Sequence, residues 1–310
     1  MNLYVGCPIW SFKGWVGNFY PQGTKPAEFL YEYAQRLTTV EGNTTFYAVP
    51  AQKTVEAWAE SLPETFRFCP KIPKAISHEG KLMDNVERAR EFVNVMSPLG
   101  TRLGPMFLQL PPRYTPKLLA DLQAFLAVWP REVRLAVEVR HLDWFESPDR
   151  EALNQLLSEY NMARVVIDTR PIRSLDGDKI LEGSVYQTLL AARERKPNVP
   201  ILPERTADFI FLRYIGHPQT LAPGAHLPRV QVPGSAGVEQ NESFLEEWAD
   251  YVASQLSAGA DVYVFCHSPE NLTAPYLCRE FYRRVAERIN IPPLPWDEVD
   301  AKNFEQGQLF

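Results

Sequence analysis

Eight short apolar runs, each followed by a stretch of helical periodicity, constrain this 310-residue chain more than any other feature. The runs are LYVGC (3–7), TTVEGN (38–43), FRFCPKI (66–72), PMFLQL (105–110), VRLAVEVRH (133–141), RVVID (164–168), DFIFLRYIG (208–216) and DVYVFCH (261–267). Helical patterns occupy 26–36, 53–61, 84–97, 116–129, 148–160, about 185–194, 241–256 and 270–288. Thr115-Pro116 and Ser147-Pro148 place proline at a first helical position, and Asn241 to Phe244 reads as a capped start. Over 116–129, Leu118, Leu119, Leu122, Phe125, Leu126 and Trp129 form one apolar face. Strict strand–helix alternation demands a parallel sheet, and eight is the number that closes a TIM barrel. An open doubly wound sheet is disfavoured because no G-x-G-x-x-G turn follows the first run. The expected architecture is a single (βα)8 TIM barrel over residues 1–290, with an extended, proline-containing C-terminal tail over 291–310. Two long Gly/Pro-rich loops, 169–184 and 216–240, are expected at the C-terminal mouth.

Strand parity then locates the chemistry. Side chains alternate between the barrel interior and the helix layer, and the helix-facing set should be apolar. Applied strand by strand, this rule turns Glu41, Lys71, Gln109, Glu138, Asp168, Arg213 and His267 inward, all near C-terminal strand ends. Barrel enzymes keep their catalytic groups at that end, and buried charges are costly unless they pair or serve chemistry. Glu41, Glu138, Asp168 and His267 are the candidate acid–base residues, with His78 and His141 as further imidazoles. Lys71, Arg140 and Arg213 suit a phosphate or carboxylate, and Asn43 and Gln109 supply amides. Trp10, Phe12, Trp15, Phe46, Tyr47, Trp144 and Phe145 follow strands and are expected as an aromatic rim, with Trp10 and Tyr47 as substrate contacts. The alternative for the charged set is a self-neutralising ion-pair network plugging the barrel.

The remaining signals mostly exclude. A net charge of −6 argues against a chain-wide basic surface for nucleic acid, though not against a local patch. The start MNLYVGCPIW is not a signal peptide, no stretch approaches a membrane span, and a cytosolic protein is expected. The four cysteines lie far apart without CxxC spacing and read as reduced, mostly buried thiols. No G-x-S-x-G or Cys–His signature occurs, which disfavours covalent serine or cysteine catalysis, and no H-x-H or H-E-x-x-H spacing occurs, so no metal is assigned; no cofactor is expected. Metal-assisted hydrolysis through Glu41, Glu138, Asp168 and His267 is the alternative mechanism, and Lys71 and Arg213 oppose it by repelling a cation.

The blocks GCPIWSFKGWVGNFYP, TVEGNTTFYAVP, FRFCPKIPKAISH, LQLPP and VEVRH, in this order, resemble the YecE-like family, catalogued as domain of unknown function 72. The similarity runs from Asn2 to about Ile289, and EGNTT with FCHSP most resembles the YecE branch. The resemblance implies a TIM barrel and supplies no activity. The expected function is therefore a hydrolase or lyase acting on a small anionic substrate, a nucleotide or a nucleic acid, with a non-catalytic binding barrel as the alternative. Finally, QGQLF (306–310) resembles the peptide by which bacterial proteins bind the DNA sliding clamp. Gln306, Leu309 and Phe310 match that pattern, and Gly307 stands where leucine is usual.

Overall fold

The computed structural model describes residues 1–173, 183–218 and 239–300. Eight strands alternate with helices: β1 Leu3–Cys7, α1 Phe29–Ala34, β2 Thr39–Gly42, α2 Gln52–Ser61, β3 Arg67–Pro70, α3 Val86–Met96, β4 Met106–Gln109, α4 Leu119–Ala127. The series continues with β5 Leu135–Glu138, α5 Asp149–Glu159, β6 Ala163–Asp168, α6 Gly183–Arg195, β7 Phe209–Ile215, α7 Glu239–Ser257, β8 Asp261–His267 and α8 Ala274–Ala286. The strands form one sheet in the order β3-β2-β1-β8-β7-β6-β5-β4. Its two ends meet through parallel bridges Phe68↔Leu103 and Lys71↔Phe107, so the expected (βα)8 barrel is what the chain forms.

Local signals explain several boundaries. Thr115 is extended and Pro116 opens a short 3-10 turn that runs into α4. The face of α4 is buried through Leu122, Phe125 and Leu126. Pro148 stands at the N-cap position of α5, which begins at Asp149, so it precedes the first helical position, where the sequence reading placed it. Asn241, by contrast, lies inside α7 rather than at its cap. Its Oδ1 accepts from Tyr214 Oη and from His217 N, each at 2.9 Å, and so ties the helix to the end of β7.

By internal contacts the chain divides into two units, one of Met1–Thr38, Asp168–Asn198 and Arg213–Phe310, the other of Thr39–Ile167 and Val199–Leu212. The first unit is built on an aromatic cluster. Trp15 packs edge-on against Phe19 and Tyr20 at 5.3 and 5.6 Å, and its indole N–H donates to Asn271 O. Burying each such ring stabilises by roughly 1.5–3 kcal/mol. Residues 291–300, read from sequence as part of the tail, are docked on this unit. Leu294 and Trp296 are buried, Trp296 lies edge-on to Phe19 at 4.9 Å, and Arg279 stacks over the Trp296 ring and pairs with Asp297 and Asp300. The second unit packs Phe107 against Phe211 at 5.3 Å and Trp58 against Phe68 at 5.0 Å.

All four cysteines are buried and free. Three that are scattered in sequence meet in the first unit. Cys7 Sγ lies 3.7 Å from Cys278 Sγ, Cys278 also reaches Gly6 O at 3.2 Å, and burial pushes the Cys7 and Cys266 thiols up, with Cys278 beside both. Among the described residues no helix is long and apolar enough to cross a membrane.

Candidate active site

The second unit gathers most of the polar residues that parity turns inward. In-register parallel neighbours share a face, so the register is a direct test. Glu41 pairs with Cys69, Phe107 with Ala136 and Gln109 with Glu138. Phe68 faces the other way, stacked on Trp58 of α2. Glu41, Gln109 and Glu138 therefore share the face away from the helices, as expected. Lys71 follows β3, where its backbone N–H donates to Gly42 O and bridges to Phe107. The Thr45 hydroxyl lies 2.8 Å from Gly42 O and 2.6 Å from Lys71 O, which pins the turn after β2 to the end of β3.

The side chains are linked by hydrogen bonds. Lys71 Nζ donates to Gln109 Oε1 at 2.8 Å, and Arg140 Nη2 donates to the same oxygen at 2.8 Å. Arg140 Nε donates to Glu138 Oε1 at 2.6 Å, and Asn43 Nδ2 to Glu41 Oε1 at 2.6 Å. Glu41 and Glu138 are almost wholly buried, at 0% and 1% exposure. Lys71 Nζ also sits 4.2 Å above the Phe46 ring and 5.3 Å above Phe107. On the Phe46 ring, His78 packs edge-on at 5.2 Å. Burial, then Lys71, Arg113, Arg140 and Lys74, push the His78 imidazole down to about 4, so it is neutral at neutral pH. Tyr47 stands edge-on to Phe46 and is 82% exposed.

At β6 the placement differs from the sequence reading. Ala163 pairs with Ala136 and Arg164 with Val137, so in β6 the even-numbered residues face the helices. Arg164 accordingly donates to Asn154 on α5. Asp168 has the same parity. Its Oδ2 accepts from the Trp248 indole N–H of α7 at 2.7 Å and from Arg170 Nη2 at 2.8 Å, and its Oδ1 accepts from the Arg170 backbone N–H. The inward assignment of Asp168 is thus corrected: the carboxylate faces Trp248 of α7. Parity misled here because β6 is buried on both faces, and Val165, Val166 and Ile167 carry no alternation.

Arg213 and His267 are buried at 3% and 4% exposure, and Lys196 Nζ lies 3.2 Å from His267 Nδ1. Trp10 is buried, and its carbonyl accepts from the Tyr20 hydroxyl. Of the expected aromatic rim, Trp10, Trp15 and Trp144 are buried, the last two with the indole N–H on a backbone carbonyl, Phe12, Phe46 and Phe145 are partly exposed, and Tyr47 stands open. Among the described residues no group of three or more His, Cys, Asp or Glu side chains is arranged to hold a metal ion. Gln306, Leu309, Phe310 and most of the two long loops lie outside the described residues.

Sequence reasoning passed over Glu270. It sits beyond the end of β8, where strand parity no longer applies. Burial pushes its carboxyl up while the Thr273 hydroxyl donates to it. Arg113 was missed for the same reason, since it lies two residues past Pro111, outside any strand.

Comparisons with known proteins agree with this architecture. The family model described as "Protein of unknown function DUF72" matches residues 4–299. The UPF0759 protein YecE of Escherichia coli strain K12 is 32% identical over 298 residues, covering 94% of this chain and 97% of the relative. The UPF0759 protein YunF of Bacillus subtilis strain 168 is 26% identical over 204 residues, covering 63% and 67%. Among solved structures, a DUF72 family protein of Enterococcus faecalis V583 superposes with a TM-score of 0.64 at 19% identity, covering 94% and 96%. One from Thermotoga maritima MSB8 gives 0.62 at 21% identity, covering 91% and 98%. With its family model spanning nearly the whole chain and a relative above 30% identity over the same length, the chain belongs to the DUF72 family.

Proposed function

We propose that the Lys71–Gln109–Arg140 cluster, flanked by Glu41 and Glu138, is an acid–base site of the hydrolase or lyase type for a phosphate- or carboxylate-bearing substrate. The observation that carries this reading is the convergence of two cations on the single oxygen of Gln109, with further cations, Lys74 and Arg113, acting on the neighbouring His78. A phosphate or carboxylate adds acceptors to those that the lysine and the arginine already have, and arginine binds it through two parallel bonds. Glu41 and Glu138 are the carboxylates on hand to accept or return a proton. The open Tyr47 ring beside Phe46 supports a substrate with a flat or sugar-like body, as in a nucleotide. The test is a binding panel of sugar phosphates, nucleoside monophosphates, dicarboxylates and neutral sugars, followed by calorimetry. Anionic members are expected to bind and to be displaced by sulfate, and neutral sugars are not. Equal binding of neutral and anionic members overturns the reading.

A second, non-catalytic reading rests on Gln306, Leu309 and Phe310. Two adjacent apolar anchors and a glutamine that sets register suit a pocket on the DNA sliding clamp. A peptide of residues 296–310 is expected to bind purified clamp with micromolar affinity, about −8 kcal/mol. The same peptide with Leu309→Ala and Phe310→Ala is expected not to bind, and failure of the native peptide ends this reading.

A further inference from the structure

We propose that His78 is the proton donor–acceptor toward the anionic substrate, and that the bound anion is what enables it to carry a proton. The inference rests on the anion-site reading above and deepens it.

The geometry places His78 at the edge of the cluster. Its ring and Lys71 Nζ share the Phe46 ring, at 5.2 and 4.2 Å. The ring is anchored through Nδ1, which lies 2.8 Å from Ser77 Oγ. The Ser77 hydroxyl has one proton, and Pro73 O lies 3.2 Å away to accept it. Nδ1–H then donates to Oγ, and the lone pair is on Nε2. The segment is also held by Arg113, whose Nη2 donates to His78 O. A ring oriented through one nitrogen, with the lone pair on the other, is the arrangement a general base needs.

After burial, the largest influences on the ring are the charges of Lys71, Arg113, Arg140 and Lys74, all cationic. Burial first, and then these cations, hold the imidazole neutral in the absence of an anion, with a midpoint of about 4. An anion held by Lys71 and Arg140 offsets their part of that field and adds an attraction of its own. Nε2 then takes one proton from solvent. It can pass that proton to a leaving oxygen of the bound substrate and return to neutral imidazole. The coupling is reciprocal: if the anion raises proton affinity at His78, protonation raises anion affinity. The sign follows. The bound state holds more protons than the free state, so affinity rises as pH falls through the bound-state midpoint and levels off below about 4.

Sulfate is the probe, because its charge is constant across this range. The His78 ring signals are followed by NMR against pH, with and without saturating sulfate, using His78→Gln to assign them. Sulfate is expected to raise the midpoint by at least about one pH unit. Sulfate affinity, measured by calorimetry, is expected to increase about tenfold or more toward low pH. His78→Gln is expected to flatten that dependence, and Arg113→Gln to raise the midpoint of the free protein by removing one cation. If sulfate binds and the midpoint stays put, this inference fails and the anion site stands. If sulfate does not bind at all, the anion-site reading fails with it.

Discussion

Arg140→Ala is expected to weaken sulfate or phosphate binding about 10- to 100-fold while the barrel stays folded. Arg140 is half-buried, lies 2.6 Å from Glu138 and shares the Gln109 oxygen with Lys71. A hydrogen bond to a charged group contributes about 1.5–3 kcal/mol, which converts to that range of affinity. Arg140→Lys restores the charge but not the planar fork, so it is expected to recover only part of the loss. Calorimetry on the three proteins decides it, with thermal unfolding as the check on folding. Unchanged affinity in Arg140→Ala places the anion elsewhere. A collapse of the fold in both variants marks the network as an ion-pair plug, since removing one member of a buried pair strands its partner.

Asp168→Ala should act on stability instead. The carboxylate is 0% exposed and accepts the Trp248 indole N–H at 2.7 Å. Trp248 is itself buried, and its removal from hydrogen bonding costs about 1–3 kcal/mol. Arg170, the other partner, is 37% exposed, can turn to solvent, and adds little. Asp168→Asn keeps an acceptor for the indole and is expected to lose less. Urea unfolding of the three proteins measures the difference. An Asp168→Ala protein as stable as the parent shows that the bond to the Trp248 indole is not what the carboxylate is for, and leaves a chemical role for it.

These two variants separate what a carboxylate or a guanidinium does in this barrel by where it points. Direction in turn depends on parity, and parity is visible in a sequence only where one face is apolar and the other is not. In β5 the alternation Leu135, Ala136, Val137, Glu138 showed its faces, and the register with β4 agrees. In β6 the run Val165, Val166, Ile167 has no preferred face, so nothing local distinguished an inward Asp168 from one aimed at Trp248. Asn241 went astray in a similar way. Its composition suits a cap, yet the backbone groups it satisfies belong to the end of β7, far away in sequence.

By itself the sequence determined the number of strands, their alternation with helices and hence the (βα)8 architecture, because periodicities of 2 and 3.6 are properties of the local chain. It also placed Glu41, Lys71, Gln109 and Glu138 on one face. Tertiary structure decided the rest, since each remaining feature depends on elements meeting across long separations. It brought Cys7 and Cys278 to 3.7 Å, buried Trp15 and Trp144 in the core, and left Tyr47 open. It also set His78 on Phe46 among four cations, and that environment, not the residue type, lowers its proton affinity. A titration midpoint is the sum of burial and neighbouring charge, and neither exists until the chain has folded.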